Sequence, residues 1–241
     1  MQGTPEFTLD QLTGRARDHL TELSDPPCAL HHEVVAPYLA MRAAAAADGI
    51  DLVAFSSFRD FDRQLAIWNG KYRGERPMQD RGGRPLNPAT LSPADRVSAI
   101  LWWSALPGAS RHHWGTDFDV MDLAALPSGY RVQVVPAEYQ AGGPFERLTT
   151  WLDAHMHAFG FFRPYTTDRG GVSPEPWHLS YAPVALQAQR GLTAQRLHAL
   201  LSGVDIDGKD EVLASLAENF QRYVVDVDAP PKAACMAPRL S

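Results

Sequence analysis

Hydrophobic and polar positions along this chain follow two different patterns of spacing. Apolar residues three and four apart predict amphipathic helices, whereas short apolar runs rich in β-branched residues predict strands. The predicted helices span residues 9–23, 30–48, 61–72, 94–106, 145–159, 194–201 and 211–223. The predicted strands span residues 50–56, 118–121, 130–135, 161–165 and 177–181. Short strands separated by helices predict an α+β fold in which a small, mainly antiparallel central sheet is flanked by helices.

The order of these elements also predicts how the chain is divided. We expect a main domain over residues 1–182, a helical C-terminal appendage over 183–228 and a flexible tail over 229–241. Residues 73–92 are polar and punctuated by glycine and proline. Because a stretch of this length without regular structure is uncommon in a compact domain, we predict that it forms a lid or a rim beside a functional site.

The composition fits a globular domain without a strongly basic surface. The chain has 241 residues, of which 45% are hydrophobic and six are tryptophan, so it can bury a sizeable core. Lys and Arg number 22 against 28 Asp and Glu, and the formal charge of −6 argues against nucleic acid or an anionic membrane as a partner. No apolar run approaches the roughly 18–20 residues that span a bilayer.

The cysteines and the first residues bear on location. Cys28 and Cys235 lie near opposite ends of the chain without metal-site spacing, so we expect two reduced thiols. The first residues show no basic stretch followed by an apolar segment, which is the pattern of a secretory signal. Both observations predict a cytoplasmic protein, or a periplasmic one if a leader has been trimmed away. The oligomeric state is not predicted.

Two short polar segments contain imidazoles and carboxylates from which a catalytic metal site can be built. In the first, His112 and Asp119 are seven residues apart. On a continuous strand they would be about 23 Å apart and on opposite faces. They can bind one metal ion only if the chain turns between them, and Gly115 is suited to that turn.

The second segment offers a carboxylate and an imidazole three residues apart, Glu175 and His178. Glu175 precedes a proline, which favours extended backbone at this position. In the strand that follows, alternation directs Trp177 to the core and leaves His178 on the opposite surface. The sequence therefore permits one metal site, although nitrogen and oxygen ligands of this kind also suit divalent ions other than zinc.

These segments resemble the signature of the D-alanyl-D-alanine carboxypeptidase (VanY-like) group of zinc peptidases, in the LAS family. Residues 110–119 match its motif Ser-x-His-x-x-Gly-x-x-x-Asp, and residues 175–178 match Glu-x-x-His. A third motif, Ser-x-x-Arg followed five residues later by Gln, is met by Ser56, Arg59 and Gln64. Three ordered motifs across roughly residues 30–181 make the resemblance specific, and they imply the LAS fold for this chain.

The resemblance implies a metal centre and two catalytic residues. It implies that His112, Asp119 and His178 bind one zinc ion and that Glu175 is the catalytic base. Arg59 becomes the cationic partner of the substrate or of its oxyanion. The chemistry agrees, because zinc acidifies its bound water, a nearby carboxylate can accept the proton, and a guanidinium stabilises negative charge.

The resemblance also implies a substrate-binding set. Ser110 and Gln64 are expected to contact the terminal carboxylate of the peptide, and Ser57 and Trp177 are expected to line the substrate site. Asp117 departs from the small residue that the family often has at this position. It lies on the same strand face as Asp119, so it could compete as a ligand or orient one, and the family spacing favours Asp119 as the ligand.

The activity implied by the resemblance is zinc-dependent release of a C-terminal D-amino acid, D-alanine, from peptidoglycan stem peptides, with L,D or D,D specificity. Without an export signal, soluble muropeptides in a recycling pathway are the expected substrate. Three alternatives remain: an endopeptidase of the phage-lysin type, a D-Ala-D-Ala dipeptidase, and a non-catalytic zinc-bearing interaction module. Glu175 favours an enzyme over the module, because a structural zinc site needs no additional base.

Overall fold

A central antiparallel sheet lies between two groups of helices in the computed structural model of the chain, which describes residues 7–236. The helices are α1 (Leu9–Leu12), α2 (His32–Ala47), α3 (Phe61–Tyr72), α4 (Pro93–Leu101), α5 (Glu146–His155), α6 (Ala182–Gly191), α7 (Ala194–Ser202), α8 (Lys209–Ala214), α9 (Leu216–Phe220) and α10 (Lys232–Cys235). The strands are β1 (Leu20–Ser24), β2 (Pro27–His31), β3 (Leu52–Ser56), β4 (Met78–Gln79), β5 (Pro85–Leu86), β6 (Asp117–Asp122), β7 (Phe161–Phe162) and β8 (His178–Tyr181).

The central sheet has the strand order β3-β6-β8-β7, and every pairing is antiparallel. Strand β6 is therefore an interior strand, paired with β3 on one side and with β8 on the other. The register places Asp119 opposite Ser56 of β3 and opposite His178 of β8. This architecture confirms the predicted α+β class with a small antiparallel sheet.

The two faces of the sheet differ in chemistry, as strand alternation requires. Phe118 and Val120 of β6 and Leu179 of β8 are fully buried in a core with α2 and α5. The residues between them point to the opposite face and are polar: Asp117, Asp119, His178 and Ser180. The polar face is directed towards a second layer of helices.

That second layer has its own hydrophobic core, formed mainly by α3, α4 and the helices that follow residue 182. Its buried members include Trp68 of α3, Ile100 of α4, Leu197 of α7 and Val212 of α8. The C-terminal helices thus pack with residues from the first half of the chain. The domain boundary at residue 182 stays a prediction.

The predicted helix over residues 9–23 is wrong. Helix α1 ends at Leu12, and strands β1 and β2 form a hairpin after it. The helix cannot continue because the backbone of Gly14 has a φ of +75°. Only glycine fits at this position, since a Cβ would lie 2.4 Å from the Nδ1 atom of His113. Helix α2 begins at His32 rather than at residue 30, because strand β2 of this hairpin extends to His31.

The predicted strand over residues 130–135 is also wrong, and this segment is a loop. The buried carboxylate of Glu138 accepts hydrogen bonds from the backbone N–H groups of Gln133 and Val135 and from the hydroxyl of Tyr130. Because this side chain satisfies the backbone donors locally, they are not used in a strand ladder.

Other predicted boundaries shift in both directions: β6 is longer than the predicted 118–121, whereas β7 is shorter than the predicted 161–165. Helix α4 ends at Leu101 rather than at residue 106. Residues 73–92 contain a hairpin in which β4 and β5 have two residues each. The same segment contributes Arg76 and Gln79 to the wall of a cavity, which confirms the predicted rim.

The predicted flexible tail, 229–241, is described as far as residue 236, and this part is not a loose end. Helix α10 packs through Ala234, which is fully buried against Phe162 and Ala182. Residues 237–241 lie outside the described part of the chain. Within residues 7–236, no helix is both long enough and apolar enough to cross a bilayer.

We predict that Gly115→Ala destabilises the fold by more than about 1 kcal/mol. Gly115 has a φ of +69°, and a Cβ at this position would lie 2.8 Å from the backbone nitrogen of His31. The measurement is urea unfolding in the presence of a chelator, which removes any contribution from bound metal.

The matched control is Gly129→Ala. Gly129 has a φ of +76° and no heavy atom near the position of an added Cβ, so this variant carries the conformational cost without the clash. Equal losses in the two variants would contradict the argument that close packing at Gly115 matters.

Candidate metal centre

Three predicted ligands meet on the polar face of the sheet: His112, Asp119 and His178. Their ligand atoms all lie within 4.8 Å of one another, and all three residues are buried. Asp119 Oδ2 is 3.6 Å from His112 Nε2, and Asp119 Oδ1 is 3.3 Å from His178 Nδ1. Ligand atoms of a tetrahedral zinc site with bonds of about 2.0–2.1 Å are about 3.3 Å apart. The separation of the three side chains therefore fits one metal ion.

His112 reaches the sheet from a 3₁₀ turn, Arg111–Trp114, which precedes β6. Gly115, with its positive φ, ends this turn and reverses the chain, as the sequence predicts. His112 Nδ1 is 3.0 Å from the carbonyl oxygen of Ser57, which can only accept, so Nδ1 carries the proton and Nε2 faces Asp119. Burial lowers the pKa of His112 to about 3, so the imidazole stays neutral as a metal ligand must.

His178 is oriented by Asp117. His178 Nε2 is 3.0 Å from Asp117 Oδ1, so Nε2 carries the proton and Nδ1 faces Asp119. Asp117 also accepts hydrogen bonds from Arg111 Nε at 2.7 Å and from Thr116 Oγ1 at 2.6 Å. Burial opposes ionisation of Asp117, but Arg111 and His178 outweigh it and hold the pKa at about 2.

These contacts favour an orienting role for Asp117 over the role of a metal ligand. Its carboxylate is engaged by Arg111, Thr116 and His178, so it orients a ligand rather than forming part of the three-residue cluster. Asp119 Oδ1, by contrast, is buried and accepts no hydrogen bond from the described residues. A buried carboxylate oxygen without a donor is costly unless a cation satisfies it. The donor set therefore fits a divalent cation.

Glu175 lies next to this centre in the loop before β8. Its Oε2 atom is 3.4 Å from His178 Nδ1, the nitrogen that faces the metal position. The backbone N–H of Glu175 donates to the carbonyl of Tyr165 at 2.8 Å, which fixes the loop. Burial raises the pKa of Glu175, an effect that nearby His178 partly opposes. A carboxylate so placed can exchange a proton with a group bound at the centre.

Arg59 lies near the same centre, and hydrogen bonds to neighbouring side chains orient its guanidinium group. Arg59 Nη1 donates to Gln64 Oε1 at 2.9 Å, and Nη2 approaches Ser56 Oγ at 3.4 Å. Gln64 is fully buried, and its Nε2 donates to the carbonyl of Ala105 at 2.8 Å. The structure thus places Gln64 behind Arg59 rather than on the cavity surface where a contact with substrate was expected.

Ser57 is likewise placed outside the cavity wall. Its hydroxyl accepts the backbone N–H of Ala29 at 3.0 Å, and its carbonyl accepts from His112. Ser57 therefore supports a ligand from behind. Ser110 and Trp177, the other two predicted substrate contacts, do line the cavity.

The cavity in front of the metal centre has a volume of about 390 Å³. It is lined by the three ligands, Arg59 and Glu175 on one side, and by residues of α3 and of the 73–92 rim on the other. Sequence reasoning missed three chemically active residues in its wall: Lys71, Arg76 and Tyr165.

For one of these three the sequence holds a signal that the predictions above do not use. Lys71 lies seven residues after Gln64 in a correctly predicted helix, and this spacing places the two residues on one helix face. Tyr165 was predicted at the end of a strand over residues 161–165, but β7 ends at Phe162 and Tyr165 lies in a loop. The Tyr165 ring packs edge-on against His178, with centroids 5.0 Å apart. Burial raises the pKa of Tyr165 to about 12, so its hydroxyl remains a neutral hydrogen-bond donor.

Two buried imidazoles, an aspartate and an adjacent glutamate in a cavity define the class of metal-dependent hydrolases. Residues 28–184 match the sequence model of the VanY family, which is described as D-alanyl-D-alanine carboxypeptidase. Since this match spans more than half of the chain and includes every residue of the centre, the chain belongs to the VanY family. Membership confirms the predicted class of enzyme, a hydrolytic peptidase.

Individual relatives agree with this assignment. The chain is 36% identical over 122 residues to an uncharacterised protein of Haemophilus influenzae, covering 50% of this chain and 93% of that protein. It is 27% identical over 154 residues to a D-alanyl-D-alanine carboxypeptidase of Enterococcus faecalis, covering 62% of this chain but only 47% of that relative. Among solved structures, VanYB in complex with D-alanine-D-alanine superimposes with a TM-score of 0.50 at 22% identity, covering 77% of this chain and 89% of that one. This likeness supports the shared fold.

We predict that Asp117→Asn weakens zinc binding by about ten- to a hundredfold, because the charged carboxylate that orients His178 and also pairs with Arg111 is replaced by a neutral amide with one acceptor oxygen. Competition with a chromophoric chelator measures the affinity. Asp62→Asn, on the exposed side of α3, is the control and should bind zinc like the parent protein. An unchanged affinity in the Asp117 variant would contradict the orienting role.

Proposed function

We propose that the protein is a zinc-dependent carboxypeptidase that releases a C-terminal D-amino acid, D-alanine, from peptidoglycan stem peptides. The observation that carries this proposal is the position of the Glu175 carboxylate, 3.4 Å from the metal-facing nitrogen of His178 and inside the cavity. A structural metal site would not need a carboxylate base beside it.

The proposal assigns a separate catalytic role to each group in the site. One zinc ion, held by His112, Asp119 and His178, would acidify a bound water and polarise the scissile carbonyl. Glu175 would accept a proton from the attacking water and deliver it to the amine of the departing residue, a role typically worth about 10²–10⁴-fold in rate. Arg59, held by Gln64, would direct its planar donors at the negative charge that develops on the carbonyl oxygen.

The substrate class is supported by the family description and by the shape of the site. The matching family is described by its action on D-alanyl-D-alanine. A cavity of about 390 Å³ lies within the usual range for small-ligand pockets and suits the end of a short peptide. We propose stem peptides of recycled, soluble muropeptides as the substrate and the cytoplasm as the location, with the L,D bond of a tetrapeptide and the D,D bond of a pentapeptide both to be tested.

The direct test is to incubate the protein with tri-, tetra- and pentapeptide stems and with free D-Ala-D-Ala, and to follow the products by mass spectrometry. We expect loss of one C-terminal residue from the tetrapeptide or the pentapeptide. Two peptide fragments would indicate an endopeptidase, and cleavage of free D-Ala-D-Ala alone would indicate a dipeptidase. If no stem loses a terminal residue, the proposed activity is wrong.

We predict that Glu175→Gln lowers kcat by at least about 10²-fold while zinc remains bound. The amide keeps the size of the side chain but cannot accept the proton. Metal content by atomic absorption, measured on the same sample as kcat, separates loss of the base from loss of the ion. Near-normal turnover in a zinc-loaded variant would rule out Glu175 as the base.

Removal of the metal gives a further prediction. Dialysis against a chelator should abolish hydrolysis, and stoichiometric zinc should restore it, because the metal activates both the water and the carbonyl. Activity that survives in protein shown to be free of metal would argue against a metallopeptidase.

A further inference from the structure

The wall of the cavity opposite the metal centre carries positive charge that the proposed chemistry does not use. Arg59, which the proposed chemistry uses, and Arg111, which pairs with Asp117, are joined in the lining by two further cations, Lys71 and Arg76, whereas the carboxylates of the lining are Asp119 and Glu175. Asp119 belongs to the metal centre, and Glu175 is the proposed base. Since a divalent cation adds further positive charge, the empty space is complementary to an anionic molecule.

Lys71 is the most unusual of these groups. It lies on the face of α3 that borders the cavity and is half-buried. Its Nζ donates to Ser104 Oγ at 2.7 Å, and it forms no ion pair within residues 7–236. An ammonium group has three donors, so two remain for a ligand. Burial lowers the pKa of Lys71 to about 8, an effect that a nearby anion would reverse.

Arg76 can pack closely against α3, near Lys71, because residue 70 is a glycine and has no side chain. Gly70 is buried in α3, and a Cβ there would lie 3.1–3.2 Å from the Cδ, Cγ and Nε atoms of Arg76. The Arg76 backbone N–H donates to the Gly70 carbonyl at 3.0 Å, which fixes the rim against the helix. The guanidinium makes no ion pair with another described residue.

We propose that Lys71 and Arg76, with Ser104 holding the lysine, form a subsite that binds a carboxylate of the substrate apart from the metal and Arg59. The subsite deepens the proposed function and rests on it. Charge-assisted hydrogen bonds to a carboxylate would use the two idle donors of Lys71 and the planar fork of Arg76. A peptide without a carboxylate at this point would leave the half-buried ammonium group of Lys71 without an ionic partner.

The carboxylate has two possible sources in a stem peptide. One is the C-terminal carboxylate of the residue that is released, which would make Lys71 a determinant of exopeptidase action. The other is an internal carboxylate of an acidic residue further along the peptide. The chemistry of recognition is the same for both, and amidated peptides distinguish them.

The test measures peptide binding by calorimetry in zinc-loaded Glu175→Gln protein, where turnover does not interfere. We expect Lys71→Met in this background to weaken binding of the fully charged stem peptide by about tenfold or more. Lys71→Arg should retain most of the affinity because it keeps the charge. Lys232→Met, which removes an exposed lysine at the start of α10, is the matched control and should bind like the parent.

A double-mutant cycle between protein and ligand identifies the partner. Two further peptides carry either a C-terminal amide or amidated internal carboxylates. If Lys71 pairs with the terminal carboxylate, the Lys71→Met loss disappears for the C-terminal amide. If it pairs with an internal one, the loss disappears for the other peptide. A loss of full size with both amidated peptides, or no loss with any peptide, overturns the proposal.

Two controls keep the result interpretable. Circular dichroism and zinc content establish that each variant is folded and loaded. If Lys71→Met does not fold, Arg76→Met changes an exposed side chain of the same subsite and is subjected to the same cycle. Wild-type protein that hydrolyses stems while both variants bind all peptides normally would remove the subsite but leave the peptidase. A wild-type protein that hydrolyses no stem would remove the proposed function itself.

Discussion

The antiparallel pairing of β6 with β8 is the constraint on which the site depends. It sets Asp119 directly opposite His178, so two residues that are 59 positions apart in the chain become neighbours. A slip of one residue in either strand would turn its ligand into the core and its apolar neighbour into the cavity. The register is held because Phe118, Val120 and Leu179 are buried on the other face. The core thus specifies the metal centre through strand alternation.

Behind the ligands lies a buried polar network that determines their orientation. The Arg111–Asp117 ion pair, at 2.7 Å, has side chains that are 2% and 0% exposed. Arg111 Nη2 also donates to Ser180 Oγ at 2.8 Å, and Asp117 holds His178. Taking such charges out of water is expensive, and further hydrogen bonds are needed to offset the cost. Here those bonds are made to the groups that fix an imidazole, so the network contributes to the geometry of the centre.

The cavity combines two walls of different origin. The sheet and the 3₁₀ turn before β6 carry the predicted metal ligands, and α3 with the 73–92 rim carries cations on the facing wall. Helix α3 serves both, because Gln64 near its start fixes Arg59 while Lys71 near its end borders the cavity. A peptide bound between these walls would meet the metal and base on one side and unpaired positive charge on the other. In the proposed function, α3 would therefore help to position both Arg59 and a cation that binds a substrate carboxylate.

Much of this arrangement was determined by the sequence alone, where the signal is local. Helix α3 was predicted to the residue, because its pattern depends only on neighbours in the chain. Trp177 lies in the core, as alternation predicts, but it also lines the cavity together with His178. The motifs also indicated that His112, Asp119, Glu175 and His178 belong to one site, and the fold brings these four side chains together. The tertiary structure alone decided that residues 20–31 form a hairpin and that Glu138 keeps residues 130–135 as a loop. It also placed Gln64 and Ser57 behind the wall and Lys71 in it. These outcomes depend on distant partners such as His113, Ala105 and Ser104, and no periodicity in the chain records which distant groups will meet.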